Sequence, residues 1–92
     1  MQFLASISLD LTRQSEVEHA IPAETARVRE LMQSGQMNAL YIPEGGGAPA
    51  SLWAVFSGDS REGVERVLES LPLYPYMRIE LTRLRSLERA RI

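Results

Sequence analysis

In the run FLASISLDL, Phe3, Ala5, Ile7, Leu9 and Leu11 fall on one side, while Ser6, Ser8 and Asp10 fall on the other. A period of two predicts a strand with one buried face over residues 3–11. TRQSE breaks this alternation. Between residues 16 and 34 the spacing changes: Ile21, Val28, Leu31 and Met32 share one stripe, which predicts a helix. Pro22 either sits in that helix's first turn, where its missing N–H is harmless, or kinks a longer helix. Gly35 is placed to cap its C-terminus. MNALYI, 37–42, predicts a short strand, and PEGGGAPA, 43–50, a flexible hairpin connection. In SLWAVFS, 51–57, Leu52, Ala54 and Phe56 alternate against Trp53 and Val55, predicting the next strand. A second helix follows. Asp59 or Ser60 is its cap, Glu62 is spaced from Asp59 as in a capping box, and Val64, Val67, Leu68 and Leu71 form its apolar stripe. Pro72 ends it. LPLYPYM, 71–77, is a stiff aromatic connector, and MRIELTRL, 77–84, alternates once more as a final strand.

The order βαββαβ predicts an α+β fold of the ferredoxin-like kind, with two helices on one face of a four-stranded antiparallel sheet. Residues 1–84 make the single domain, and the charged tail 85–92 either frays or lies on a neighbouring subunit. Nothing in the chain covers the sheet's other face, where Leu4, Trp53 and Val55 lie among serines. Such a mixed face suits a cavity shared between two sheets, or pairing with another subunit.

Composition narrows the chemistry. The 92 residues carry ten basic and twelve acidic side chains, interspersed, for a net charge of −2. That balance gives no electrostatic reason to bind nucleic acid or an anionic membrane surface. With no cysteine, thiol nucleophiles, disulfides and thiolate metal sites are excluded. Every basic residue is arginine, so lysine Schiff bases are excluded as well. One histidine, His19, builds no multi-histidine metal site. GGG at Gly45–Gly47 lies far from any strand-to-helix junction and makes no phosphate loop. No cofactor and no metal are expected, and a cytoplasmic protein is the default.

Carboxylates, tyrosines, hydroxyls and backbone groups remain. On a helical wheel at about 100° per residue, Glu24 lands between Ile21 and Leu31, on the flank of the apolar stripe. A carboxylate there loses hydration, its pKa rises, and it becomes fit to take a proton from one atom and return it to another. The rival reading pairs Glu24 with Arg27, three residues on, at the surface. His19 reads as a surface or capping residue. Tyr41, Trp53, Tyr74 and Tyr76 serve either as packing or as walls and hydrogen-bond donors for a substrate.

LPLYPYM followed by RIEL, preceded by VERVLES and WAVFS, resembles the muconolactone δ-isomerase family, whose members carry L-P-L-[FY]-P-Y-M-x-I-E after the second helix. The similarity runs from the first strand to about Leu84. It implies a dimeric α+β barrel, forming a homodimer or a larger ring up to a decamer. It also implies a cofactor-free isomerase that shifts a ring double bond in a small unsaturated lactone, in the breakdown of aromatic compounds. Counted back from Gly35, the family's helix glutamate falls on Glu24, which the resemblance makes the general acid/base.

One stretch departs from the family pattern. Where the family has a W-R-x-L-W-R type segment, this chain has Gln36-Met37-Asn38-Ala39-Leu40-Tyr41-Ile42, without arginine or tryptophan. Guanidinium is the natural forked partner of a carboxylate, so the departure points to a relative with another substrate. Two rivals to an isomerase follow from the same residues: a non-catalytic oligomer binding a small hydrophobic metabolite, and a cofactor-free oxygenase or cyclase on the same barrel.

Overall fold

A computed structural model describes residues 1–45 and 49–87. Strand β1, Gln2–Leu9, ends two residues earlier than its alternation predicts. The reason is Asp10, which turns its carboxylate back onto the Thr12 N–H at 3.0 Å and caps a 3-10 turn over Leu11–Arg13. Helix α1, Gln14–Ser34, therefore starts early and carries Pro22 in its interior. The proline removes one N–H from the ladder, and because both Pro22 and Glu18 are exposed, the released carbonyl meets water. Gly35 closes the helix in the left-handed region, φ 80°, its N–H donating to the Met32 carbonyl at 3.2 Å.

Strands β2, Met37–Tyr41, and β3, Ser51–Ser57, form an antiparallel hairpin with an irregularity between Met37 and Ala39. Helix α2, Arg61–Glu69, is capped by Ser60, whose Oγ accepts from the Gly63 N–H at 3.1 Å. Of the two cap candidates it is the serine that serves. Strand β4, Met77–Leu84, matches its predicted span. The sheet order is β2-β3-β1-β4, every pairing antiparallel, with both helices on one face. This is the α+β, ferredoxin-like arrangement that the element order predicts.

Phe3, Ala5 and Ile7 of β1 and Ala54 and Phe56 of β3 point at the helices and meet Leu31, Val64 and Leu68. Each large side chain so placed contributes roughly 1.5–3 kcal/mol. On α1, Val17 and Leu31 are fully buried, whereas Ile21 and Met32 are exposed by 41% and 43%. The buried face is thus turned by about half a residue step from the predicted stripe, at about 100° per residue. Val17, Leu31 and Val28 bracket Glu24, which lies at the centre of that face and not on its flank.

The segment 71–77 owes its stiffness to more than its prolines. Tyr74 N–H donates to the Leu71 carbonyl at 2.9 Å, and Tyr76 N–H to the Leu73 carbonyl at 2.9 Å. Between these bonds, Leu71 and Leu73 turn inward, exposed by only 3% and 6%. The Tyr76 carbonyl accepts from the Asp10 N–H at 2.9 Å, fastening the connector to the end of β1.

Phe56 lies at the centre of the sheet's buried face, fully enclosed. Truncation by Phe56→Ala is expected to cost about 3–5 kcal/mol, measured as the shift in the urea unfolding midpoint at unchanged m-value.

Candidate active site

Glu24 sits on the inward face of α1, opposite the connector. Its Oε1 accepts a hydrogen bond from the backbone N–H of Leu73 at 2.9 Å. That amide is directed at the helix because Pro72 fixes the chain ahead of it and the 3-10 turn over Tyr74–Tyr76 fixes the chain behind it. The Arg27 pairing does not form. Arg27 instead donates to Glu30 at 3.0 Å and to Ser70 Oγ at 3.0 and 3.1 Å, tying α1 to the end of α2.

Beside the carboxyl lies a cavity of about 200 Å³ between α1 and the sheet. Ile7, Val28, Leu52, Ala54, Leu71 and Met77 form much of its wall, and Leu40 and Ile42 stand at its exposed rim. Glu24 is the one ionisable residue along this lining, and Thr25 brings the one hydroxyl, among the described residues. Taking a water molecule's share of liquid volume as about 30 Å³, the space equals some six or seven waters, enough for one small ring.

Two effects act on the Glu24 carboxyl. Burial among hydrocarbon raises its pKa above the ordinary carboxylate range, and the Leu73 N–H, which favours the charged form, lowers it. Burial is the larger, so the net shift is upward. One carboxyl oxygen is fixed by the amide, and the other takes no hydrogen bond among the described residues.

None of the four aromatic candidates lines this cavity. Tyr41 and Trp53 face each other across β2 and β3 on the sheet's outer surface, exposed by 61% and 39%. Tyr74 is exposed at the connector, and Tyr76 stacks beneath the Arg13 guanidinium, 4.7 Å from the ring centre. Within one chain the wall beside Glu24 is mostly aliphatic, Phe56 is the one aromatic residue along it among the described residues, and the four candidates lie elsewhere. His19 is exposed, over a shallow depression with Ser15 and Glu16. What the sequence reading missed is the Leu73 amide and the rim residues Leu40 and Ile42. The signal was available: Leu40 and Ile42 share the parity that turns Ala54 and Phe56 inward.

The muconolactone delta-isomerase family model matches residues 1–89. The chain belongs to that family. Among solved structures, the crystal structure of muconolactone isomerase aligns over 100% of this chain and 97% of its own, at 23% identity and a TM-score of 0.78. A second similar structure is 5-chloro-2-hydroxyhydroquinone dehydrochlorinase (TftG) from Burkholderia phenoliruptrix AC1100, in complex with 2,5-dihydroxybenzoquinone. It aligns over 92% of this chain and 94% of its own, at 15% identity and a TM-score of 0.66. A search of curated protein sequences returned no match. At these identities the two structures bear on the fold, and the family match rests on the sequence. No helix among the described residues is long and apolar enough to cross a membrane.

The pKa shift has a thermodynamic consequence. A carboxyl whose folded pKa lies above its unfolded value stabilises the fold fully only below the unfolded value, and this contribution is lost as pH rises through the folded one. Glu24→Gln stays neutral throughout and still accepts from the Leu73 N–H. It is expected to melt above the wild type at pH 8, with the difference vanishing below about pH 4, the ordinary glutamate range. Thermal unfolding of both proteins across that interval checks the sign, and a wild type that melts higher at pH 8 contradicts it.

Proposed function

We propose that this member of the muconolactone delta-isomerase family is a cofactor-free isomerase, moving a carbon–carbon double bond in a small unsaturated lactone with Glu24 as the general acid/base. The observation that carries the reading is the pairing of a desolvated carboxyl with a mostly apolar cavity of about 200 Å³. A double-bond shift of this kind conserves every atom. The Glu24 carboxylate takes a proton from the carbon at one end of the conjugated system, leaving a dienolate and a neutral carboxylic acid. The acid returns the same proton to the carbon two positions along, and the carboxylate is regenerated. No oxidant, reductant or co-reactant is needed.

Each feature of the site supports a part of that sequence. Dry walls keep water from competing for the proton and from quenching the dienolate. The bond from Leu73 fixes one carboxyl oxygen, so that the other sweeps a short arc between the two carbons. Thr25 brings a neutral hydroxyl to the lining, a donor of the type that stabilises developing negative charge on the lactone oxygen.

Self-association is part of the same reading. Tyr41 and Trp53 form an exposed cross-strand aromatic pair, with Leu4 and Val55 half-buried beside them on the uncovered face of the sheet. A second copy set against this face would bury those rings and close a barrel of two sheets, leaving the Glu24 cavity on the opposite side. Tyr41 and Trp53 would then act at that interface, with Tyr74 and Tyr76 on the connector at its margin.

Glu24→Gln removes the proton carrier while preserving shape and the Leu73 contact. Turnover of an unsaturated lactone is expected to fall by at least about a thousandfold, within the range that positioned acid–base groups supply. Far-UV circular dichroism should be unchanged. For the wild type, kcat/KM should rise with pH through a single ionisation lying above the ordinary glutamate value. NMR in deuterated solvent should show the shifted double bond with the moved proton largely retained and no oxygen consumed, which separates a double-bond shift from an oxygenase. Turnover retained in Glu24→Gln would remove the mechanism.

A further inference from the structure

Building on the isomerase reading of the Glu24 cavity, we infer that the cavity takes an uncharged substrate: a small lactone bearing no carboxylate group. The argument is one of charge placement. Along the lining, among the described residues, the one ionisable group is itself an acid. None of the arginines among the described residues lines the cavity. Arg27, on the same helix, holds Glu30 and Ser70. Arg13 pairs with Glu16 and covers the Tyr76 ring. Arg61 donates to the Leu81 carbonyl at 2.9 Å. Arg78 lies with Ser6, Trp53 and Glu80 around a depression on the sheet's outer surface, the face turned away from Glu24. The exposed lining residues are Leu40, Ile42 and Thr25, so among the described residues the entrance carries no charge either.

An anion entering this space would give up its hydration without gaining a cation or a set of donors in exchange. It would also approach a carboxyl of like charge. Two carboxylates sharing one site do not both ionise, and the pKa of one is driven up. An acid ligand would therefore hold Glu24 protonated, the form that cannot remove a proton from carbon. A neutral ring of the same size enters with its hydrophobic surface favoured and leaves Glu24 free to ionise. The chemistry of the walls and the needs of the base select the same class.

The test is a binding comparison that does not depend on turnover. Two saturated, unreactive lactones of nearly equal ring size serve as probes: γ-valerolactone, and the analogue carrying a carboxymethyl group in place of the methyl. Each is titrated at pH 8 into the full-length protein, with the Leu73 amide and the Leu71 and Met77 methyl groups followed by NMR. The neutral lactone should shift these signals saturably, at an affinity at least tenfold above that of the carboxylate. In Glu24→Gln the gap should narrow, because the repelling charge is gone while the apolar walls remain. Equal or tighter binding of the carboxylate in the wild type, or no binding of either probe, would overturn the inference. Turnover of the corresponding unsaturated lactones is measured alongside. Binding of the neutral probe without turnover would sink the isomerase reading and keep this one. Turnover of the acid lactone alone would do the reverse.

Discussion

A single hydrogen bond, from the Leu73 amide to the Glu24 carboxyl, joins the two halves of the site. One half is a helix face that would otherwise be continuous hydrocarbon. The other is a connector whose prolines and 3-10 turn leave its amide little freedom. Burying an acid on such a face is costly, and an unpartnered one would be driven almost wholly to the neutral form or out towards water. A single amide donor offsets part of that cost. The carboxyl stays in place and stays ionisable, with a pKa raised but opposed. A guanidinium beside it would lower the pKa, and loss of the amide would raise it further. The dry walls and the lone donor are thus two settings of one balance.

The connector shows how the rest of the fold serves this balance. Leu71 and Leu73 are buried in the core while Pro72 lies between them, so hydrophobic packing fixes the direction in which the Leu73 N–H points. The Tyr76 carbonyl binds the Asp10 N–H, which in turn belongs to the cap that starts the turn leading into α1. Arg27, three residues beyond Glu24 on α1, holds Ser70, one residue before the connector begins. Helix and connector are therefore tied together at Ser70, at Leu73 and, through the end of β1, at Tyr76. Movement of the carboxyl relative to its donor would have to break several contacts at once.

How far the sequence disclosed this depended on the range of the interactions. Period-two and helical patterns are local, and all four strands and both helices follow from them. Boundaries slipped where a side chain competes with the ladder, as Asp10 does by capping a turn at the end of β1. The wheel singled out Glu24 from apolar neighbours one turn away, on the flank of a stripe that included Ile21 and Met32. Their exposure moves the centre towards Leu31 and places the carboxyl deeper than its immediate neighbours implied. The Leu73 donor is separated from its acceptor by 49 positions and is a backbone group, so no side-chain pattern records it. The aromatic residues drew attention for their chemistry, although strand parity already sent Tyr41 and Trp53 to the face opposite Ala54 and Phe56.

Parity also explains how a fold of this kind changes what it recognises without disturbing its acid. Strand β2 is an edge strand, paired with β3 alone, and its alternate residues serve different surfaces. Leu40 faces the helices and, with Ile42 just beyond the strand, borders the cavity, whereas Tyr41 faces outward beside Trp53. Substitutions at the first set alter the rim, and substitutions at the second alter the surface offered to another copy. Glu24 and Leu73 belong to neither set, although Leu40 and Ile42 line the same cavity. The segment from Gln36 to Ile42, where the sequence departs from the family pattern, carries Leu40 and Ile42 of the first set and Tyr41 of the second. The ionisable group is held by helix and connector, and the exposed rim of the cavity belongs to the sheet edge. The two are joined only by the shared walls of one small cavity.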